Sequence, residues 1–252
     1  MTQTEIYRYV NALWNADEMG GLFNLKEYND AQKEVNLTMF NDAVAELSTS
    51  PRTELIYSSK MLRPFVTEAT VVPAAGVVTL TTQLTNYAFL LKVRTTATYQ
   101  GQVREITLVD HQDLSNRMGN LMREPLKYHP VCTIDGNSLR IYPNDVSSVI
   151  IDYLAFPATP KFDYYIDTND VVVPIEVADL HHHLLTGETG SAGQVGIAAP
   201  GLEVATLMVE LAWGNEYHFQ FLNLLLKRLG LANENQLKFQ ASSAEDQTLA
   251  IK

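Results

Sequence analysis

The stretch from Val131 to Asp170 constrains the fold more than any other part of the chain. Ile134 runs into Asp135-Gly136-Asn137, residues that tolerate the positive φ of a tight turn, and Leu139-Arg-Ile-Tyr142 follows with alternating polarity. That pattern predicts a β-hairpin. After the turn residues Pro143-Asn144-Asp145, the β-branched and aromatic run from Val149 to Phe156 predicts a third antiparallel strand. These residues describe a scaffold and carry no catalytic signature.

The hydrophobic period near two extends well beyond this stretch. Between Leu55 and Val173 the runs Val77–Leu80, Tyr87–Val93 and Val103–Val109 read as further strands. Asp110–Met122 interrupts them, and Asp113 is placed to cap a short helix through Leu114 and Met118 that closes near Gly119. Before the strands, Thr2 and Glu5 form a capping box ahead of Ile6, Val10, Leu13 and Trp14, with Gly20-Gly21 as the stop. A second helix is expected from Asn24, with Glu27 in its first turn and Tyr28, Ala31, Val35 and Met39 on one face, and Pro51 forbids its continuation. Strands flanked by helices, without βαβ alternation, predict an α+β fold with an antiparallel β-sandwich or small barrel as its core. The expected organisation is a helical hairpin over 1–50, a β core over 51–178, a flexible glycine-rich insertion over 179–201 and a C-terminal helical segment with a tail over 202–252.

The insertion carries Gly187, Gly190, Gly193 and Gly196 at every third place, far too few repeats for collagen. Beyond it, Leu202–Leu211 is apolar. Asn215 is the expected cap of a helix containing Phe219, Leu222, Leu225, Leu226 and Leu229, which Gly230 ends. From Ala232 to Lys252 the chain is polar, with Leu237, Phe239, Leu249 and Ile251 its sparse apolar residues, and is expected to order on a partner.

Composition excludes several functions. With 252 residues, 46% of them hydrophobic, the chain can bury a core without staples. Its single cysteine, Cys132, excludes an internal disulfide. No basic region followed by an apolar run suggests a secretory signal, and no run approaches the roughly 20 apolar residues of a membrane helix, so a soluble protein made in a reducing cytoplasm is expected. The net charge of −11 argues against a surface that neutralises phosphates.

Candidate chemistry is sparse. Three consecutive side chains, His181-His182-His183, cannot all converge on one ion, and a solvated turn is the plainer reading. His129 and Cys132 lack an orienting third group for thiolate catalysis. Asp163, Asp167 and Asp170 miss the spacing of a calcium loop and read as solvated loop carboxylates. The glycines lack the Gly-Lys-Ser/Thr of a phosphate loop. Asp110, His111 and Asp113 have no nucleophile to serve, so capping is preferred. No catalytic, cofactor or metal residue is therefore assigned.

The order of several short motifs nonetheless points to a known group. They begin with Tyr28-Asn29, Val35-Asn36-Leu37-x-x-Phe40, Met61-Leu-Arg-Pro-Phe65, Ile106-Thr-Leu, Glu124-Pro125 and His129-Pro130-Val131. Ile134-Asp-Gly-Asn137, Ile141-Tyr-Pro143 and Tyr153-x-x-x-Pro157-x-x-Pro160 follow, then Val209-Glu-Leu211, Glu216-x-His218 and Leu229-Gly-Leu231. Taken in sequence, they resemble virion ring proteins of crAss-like and related Bacteroidetes phages over nearly the whole chain. The resemblance implies a head-to-tail connector or adaptor: a ring of about twelve copies that docks beneath the portal protein, joins it to tail and other ring proteins, and forms part of the channel for genome ejection. DNA would pass nearby without specific binding, aided by the acidic lumen, and neither membrane nor cofactor is involved. The glycine-rich insertion and triple histidine depart from the plainer turn expected there. Gly187, Gly190, Gly193 and Gly196, together with Phe239, Leu249 and Ile251, are the expected interface residues. Two other classes compete: a carbohydrate- or receptor-binding β-sandwich using Phe162, Tyr164 and Tyr165, and an enzyme with a metal at His181–His183.

Overall fold

The computed structural model describes residues 1–16, 24–48, 56–57, 59–99, 102–120, 122–175, 181–197 and 202–231. The fold is α+β, and the chain divides into two compact units, Met1–Ala43 with Ala158–Lys252, and Val44–Pro157.

The Val44–Pro157 unit is a β-sandwich. One four-stranded sheet has the order β1–β8–β3–β4, formed by β1 (Val66–Val71), β8 (Val149–Ala155), β3 (Tyr87–Tyr99) and β4 (Gln102–Glu105). The other has the order β2–β7–β6–β5, formed by β2 (Val77–Thr79), β7 (Ser138–Tyr142), β6 (Val131–Asp135) and β5 (Thr107–Leu108). All pairs are antiparallel except β5 with β6, which is parallel. The hairpin expected from Asp135-Gly136-Asn137 is β6–β7, in the register Ile134↔Leu139, with Gly136 at φ +59°. Val93, Val149 and Ile151 from one sheet meet Val78, Cys132, Leu139 and Ile141 from the other in one buried core. Each such aliphatic side chain contributes about 1.5–3 kcal/mol by leaving water.

Two strand runs end sooner than their apolar pattern suggests. Val77–Leu80 stops at Thr79, because Leu80–Gln83 turns into a short helix, α3, that buries Leu80 in the core. Val103–Val109 is split. The Ile106 N–H donates to Val93 O in the first sheet, whereas Thr107-Leu108 pairs with Val131-Cys132 in the second, so the chain changes sheets at a single buried residue.

Cys132 lies in this core with no exposed surface, and burial pushes its thiol up to about 12. Since the thiolate is the reactive form, Cys132 should resist a disulfide reagent at pH 8 in the native protein and react fully in denaturant. Native labelling at the denatured rate would contradict this placement.

The unit formed by Met1–Ala43 and Ala158–Lys252 contains α1 (Gln3–Ala16) and most of α2 (Leu25–Ser48). The capping box is present: Thr2 Oγ1 accepts the Glu5 N–H at 3.2 Å and Glu5 Oε2 accepts the Thr2 N–H at 2.7 Å. Asn24 Oδ1 caps α2 by accepting from the Lys26 and Glu27 N–H groups. A three-stranded sheet β10–β9–β12 joins β10 (Val172–Pro174), β9 (Tyr164–Ile166) and β12 (Thr189–Gly190), and β11 (His181–Leu184) pairs with β13 (Leu202–Ala205). Strands β9 and β10, expected in the β core, thus belong to this unit. Asn215 does not cap the last helix. It opens a 3₁₀ turn, Asn215–Tyr217, and the helix α5 spans His218–Arg228.

Aromatic and amide contacts tie these pieces together. Phe162 stacks on Tyr7 at 4.2 Å between ring centres, and Tyr28 meets both rings edge-on. Asn36 is buried, accepting the Trp213 Nε1–H at 2.7 Å and donating to Ala158 O at 3.1 Å. The pattern that marked Tyr28 and Val35 as a helical face therefore marks the face that packs, with Asn36 beside it as a polar clamp.

Candidate interaction surfaces

The segment expected as a flexible insertion is built from strands and hydrogen-bonded turns. β11 buries Leu184 completely, and β12 pairs with β9 in the register Thr189↔Ile166. Glu188 closes the intervening turn: its carboxylate accepts the Leu185 N–H at 2.7 Å and its own N–H donates to Leu185 O at 2.9 Å. Gly196 donates to Glu188 O at 2.8 Å, and a Cβ at Gly196 would overlap the Leu185 carbonyl. The four glycines therefore serve close backbone packing and turns, and Gly190 and Gly196 are themselves buried. What this segment shows to solvent is aliphatic: Leu185, Val195 and Ile197 are 51%, 64% and 52% exposed. Leu185 and Ile197 are bridge partners, and Val195 lies two residues before Ile197 along the same extended backbone. Phe239, Leu249 and Ile251 lie outside the described residues.

Asp163 corrects the reading of a solvated carboxylate. It is 2% exposed, accepts the Ser191 hydroxyl and the Leu207 N–H, and so fastens the glycine-rich segment and the chain after β13 to the start of β9. Asp167 accepts from the Val171 and Asn169 N–H groups, which hold its carboxyl below the ordinary aspartate range, Val171 most strongly. Asp170 ends that turn at φ +61°.

The histidines are divided by the strand. His182 stacks on Tyr165 at 4.2 Å between ring centres, with Nε2 4.0 Å from Glu188 Oε2, whereas His183 is exposed opposite Glu203. Among the described residues, no group of three His, Cys, Asp or Glu side chains is placed to hold a metal ion. Of the three aromatic residues considered for a sugar, Phe162 is fully buried, and Tyr164 and Tyr165 are half-buried.

A second surface escaped sequence reasoning. The chain between β5 and β6 carries α4 (His111–Met118), which is capped by Asp110, whose Oδ1 accepts the Asp113 N–H at 2.6 Å. Asp113, the expected cap, sits in the first turn and pairs with Arg117 at 3.0 Å. Leu114 anchors the helix on Val109 and Val131. Beyond it lies a groove of about 360 Å³ lined by Arg117, Met122, Arg123, Leu126, Tyr128 and His129 among others. Met122 is 94% exposed, and Leu126, Met118 and Leu108 are also exposed. Lys127 pairs with Asp145 at 2.6 Å, so Arg123 is the groove arginine with no ion pair among the described residues. Its sequence signal was Met118, Met122 and Leu126 recurring every fourth residue, a recurrence that runs past Gly119, where the short helix through Leu114 and Met118 is expected to close. His129 lines this groove, and Cys132 is buried in the sandwich.

No family model matches the chain, and no curated protein is similar to it. No helix among the described residues is long and apolar enough to cross a membrane.

Proposed function

We propose that this chain is a structural protein of a tailed-phage virion, one copy of an oligomeric connector ring that links the portal protein to the tail. The observation that carries the reading is the presence of two unlike exposed apolar surfaces, one around Val195 in the Met1–Ala43 and Ala158–Lys252 unit and one around Met122 in the Val44–Pro157 unit. A ring closes through heterologous contacts, in which one face of each subunit meets a different face of the next. Exposed apolar patches of this kind mark such contacts. The ordered run of motifs from Tyr28-Asn29 to Leu229-Gly-Leu231 supports the same reading, and the net charge of −11 suits a wall past which DNA slides without adhering.

Mass spectrometry and antibody labelling of purified virions of the encoding phage test the proposal. The chain is expected in mature particles, with label at the head–tail junction. Its absence from mature particles would overturn the reading.

A further inference from the structure

The groove at Met122 presents Arg123 outside any ion pair among the described residues, and the aliphatic surface at Val195 lies beside an acidic turn. Nine carboxylates and no lysine or arginine stand between Lys161 and Lys227. Within that stretch the exposed aliphatic surface adjoins an acidic turn: a Cβ on Gly187 would stand 2.9 Å from the Thr168 methyl group, which places the Asp167–Asp170 turn against the one that follows Leu185. Val171, 53% exposed, extends the apolar area beside Asp170. At the groove, Arg117 is paired with Asp113 and Lys127 with Asp145, which leaves Arg123, beside Glu124, as the arginine outside any ion pair among the described residues. Methionine, tyrosine and arginine are the residues enriched where proteins meet, and Met122, Tyr128 and Arg123 line the groove.

We propose that the Met122 groove of one molecule receives the acidic aliphatic surface of a second copy, with Val195 and Ile197 entering beside Met122 and Leu126 while Arg123 faces the Asp167–Asp170 turn. The contact is heterologous. Groove-to-groove pairing would oppose two Arg123 guanidinium groups, and pairing of two acidic surfaces would oppose their carboxylates. One uncommitted arginine is also too few for a nucleic-acid backbone as occupant. The inference rests on the connector-ring reading, whose subunits require such a head-to-tail joint.

Sedimentation velocity of the full chain over a concentration series tests the contact. Wild-type protein is expected to self-associate. Met122→Asp, Arg123→Glu and Val195→Asp should each weaken association at least ten-fold with an unchanged melting profile, because all three positions are exposed. The decisive sample mixes Arg123→Glu with Val195→Asp: each partner retains one intact surface, so the mixture should stop at a one-to-one dimer. A mixture that stays monomeric, assembly that ignores these substitutions, or a wild type that remains monomeric throughout would each overturn the contact. Assembly that ignores them removes this joint and leaves the ring reading standing, whereas absence from virions removes the ring reading whatever happens in solution.

Discussion

Phe162→Ala should destabilise the unit built from Met1–Ala43 and Ala158–Lys252 by about 3–5 kcal/mol, the range for emptying a buried aromatic site. Phe162 has no exposed surface, stacks on Tyr7 at 4.2 Å and on Tyr164 at 6.0 Å, and meets Tyr28 edge-on at 6.0 Å, so truncation removes three aromatic contacts beyond the area term. The backbone around the site resists collapse. Asn29 Oδ1 accepts the Phe162 N–H at 2.8 Å and Asn29 Nδ2 donates to Phe162 O at 3.1 Å, clamping the main chain independently of the ring. A cavity held open in this way should place the cost in the upper part of the range. Urea unfolding followed by circular dichroism provides the measurement, with Phe162→Leu as a milder companion because it leaves a smaller void. A loss below about 1 kcal/mol would mean that the ring is not the packed centre described here. The variant also bears on the acidic aliphatic surface: Asp163, next in the chain, holds Ser191 and Leu207, so loosening Phe162 loosens the anchor of the segment that displays Val195.

The parts of this fold that sequence made legible are those governed by local rules. Asp135-Gly136-Asn137 declares the β6–β7 turn because few residues accept its backbone, and Thr2 with Glu5 declares the start of α1 because their spacing satisfies two orphan N–H groups. Where two residues could do the same work, the local rule failed. Asp110 and Asp113 both suit a helix start, and only the structure shows the Asp110 carboxylate on the Asp113 N–H. Long-range pairing was hidden in principle. Nothing between Thr186 and Gly201 reveals that Thr189 lies beside Ile166, so a segment rich in glycine read as flexible. Asp163 was misread for a related reason: its burial depends on Ser191 and Leu207, 28 and 44 residues away. The Met122 groove followed no β period, and its four-residue apolar recurrence continues beyond Gly119, where the expected short helix closes, so nothing local marks Met122 and Leu126 as one surface with Met118. Both candidate surfaces are therefore tertiary products, although the residues that compose them were in plain view.

Gly196→Ala should cost about 3 kcal/mol, the upper end of what overpacking ordinarily costs, and should do so without any change in surface polarity. The cause is steric. An ideal Cβ at this position overlaps the Leu185 carbonyl and crowds the carbonyl carbon of Leu184, which are backbone atoms that cannot swing aside like the end of a side chain. Relief would require the 185–197 bridge to part, and with it the hydrogen bond from the Gly196 N–H to Glu188 O. Gly193 provides the control. Its φ of +81° favours glycine, but nothing lies within 4 Å of an added Cβ, so Gly193→Ala should cost only about 1 kcal/mol through backbone strain. Thermal unfolding of the two variants side by side separates close packing from conformational preference. Equal losses at both positions would sink the claim that this segment is a packed element, and with it the rigid platform on which Leu185, Val195 and Ile197 are presented. If the inequality holds, a residual effect of Gly196→Ala on self-association should track the fraction unfolded, whereas Val195→Asp should weaken association with the fold intact. That difference in behaviour assigns the glycines to building the surface and the aliphatic side chains to the contact itself.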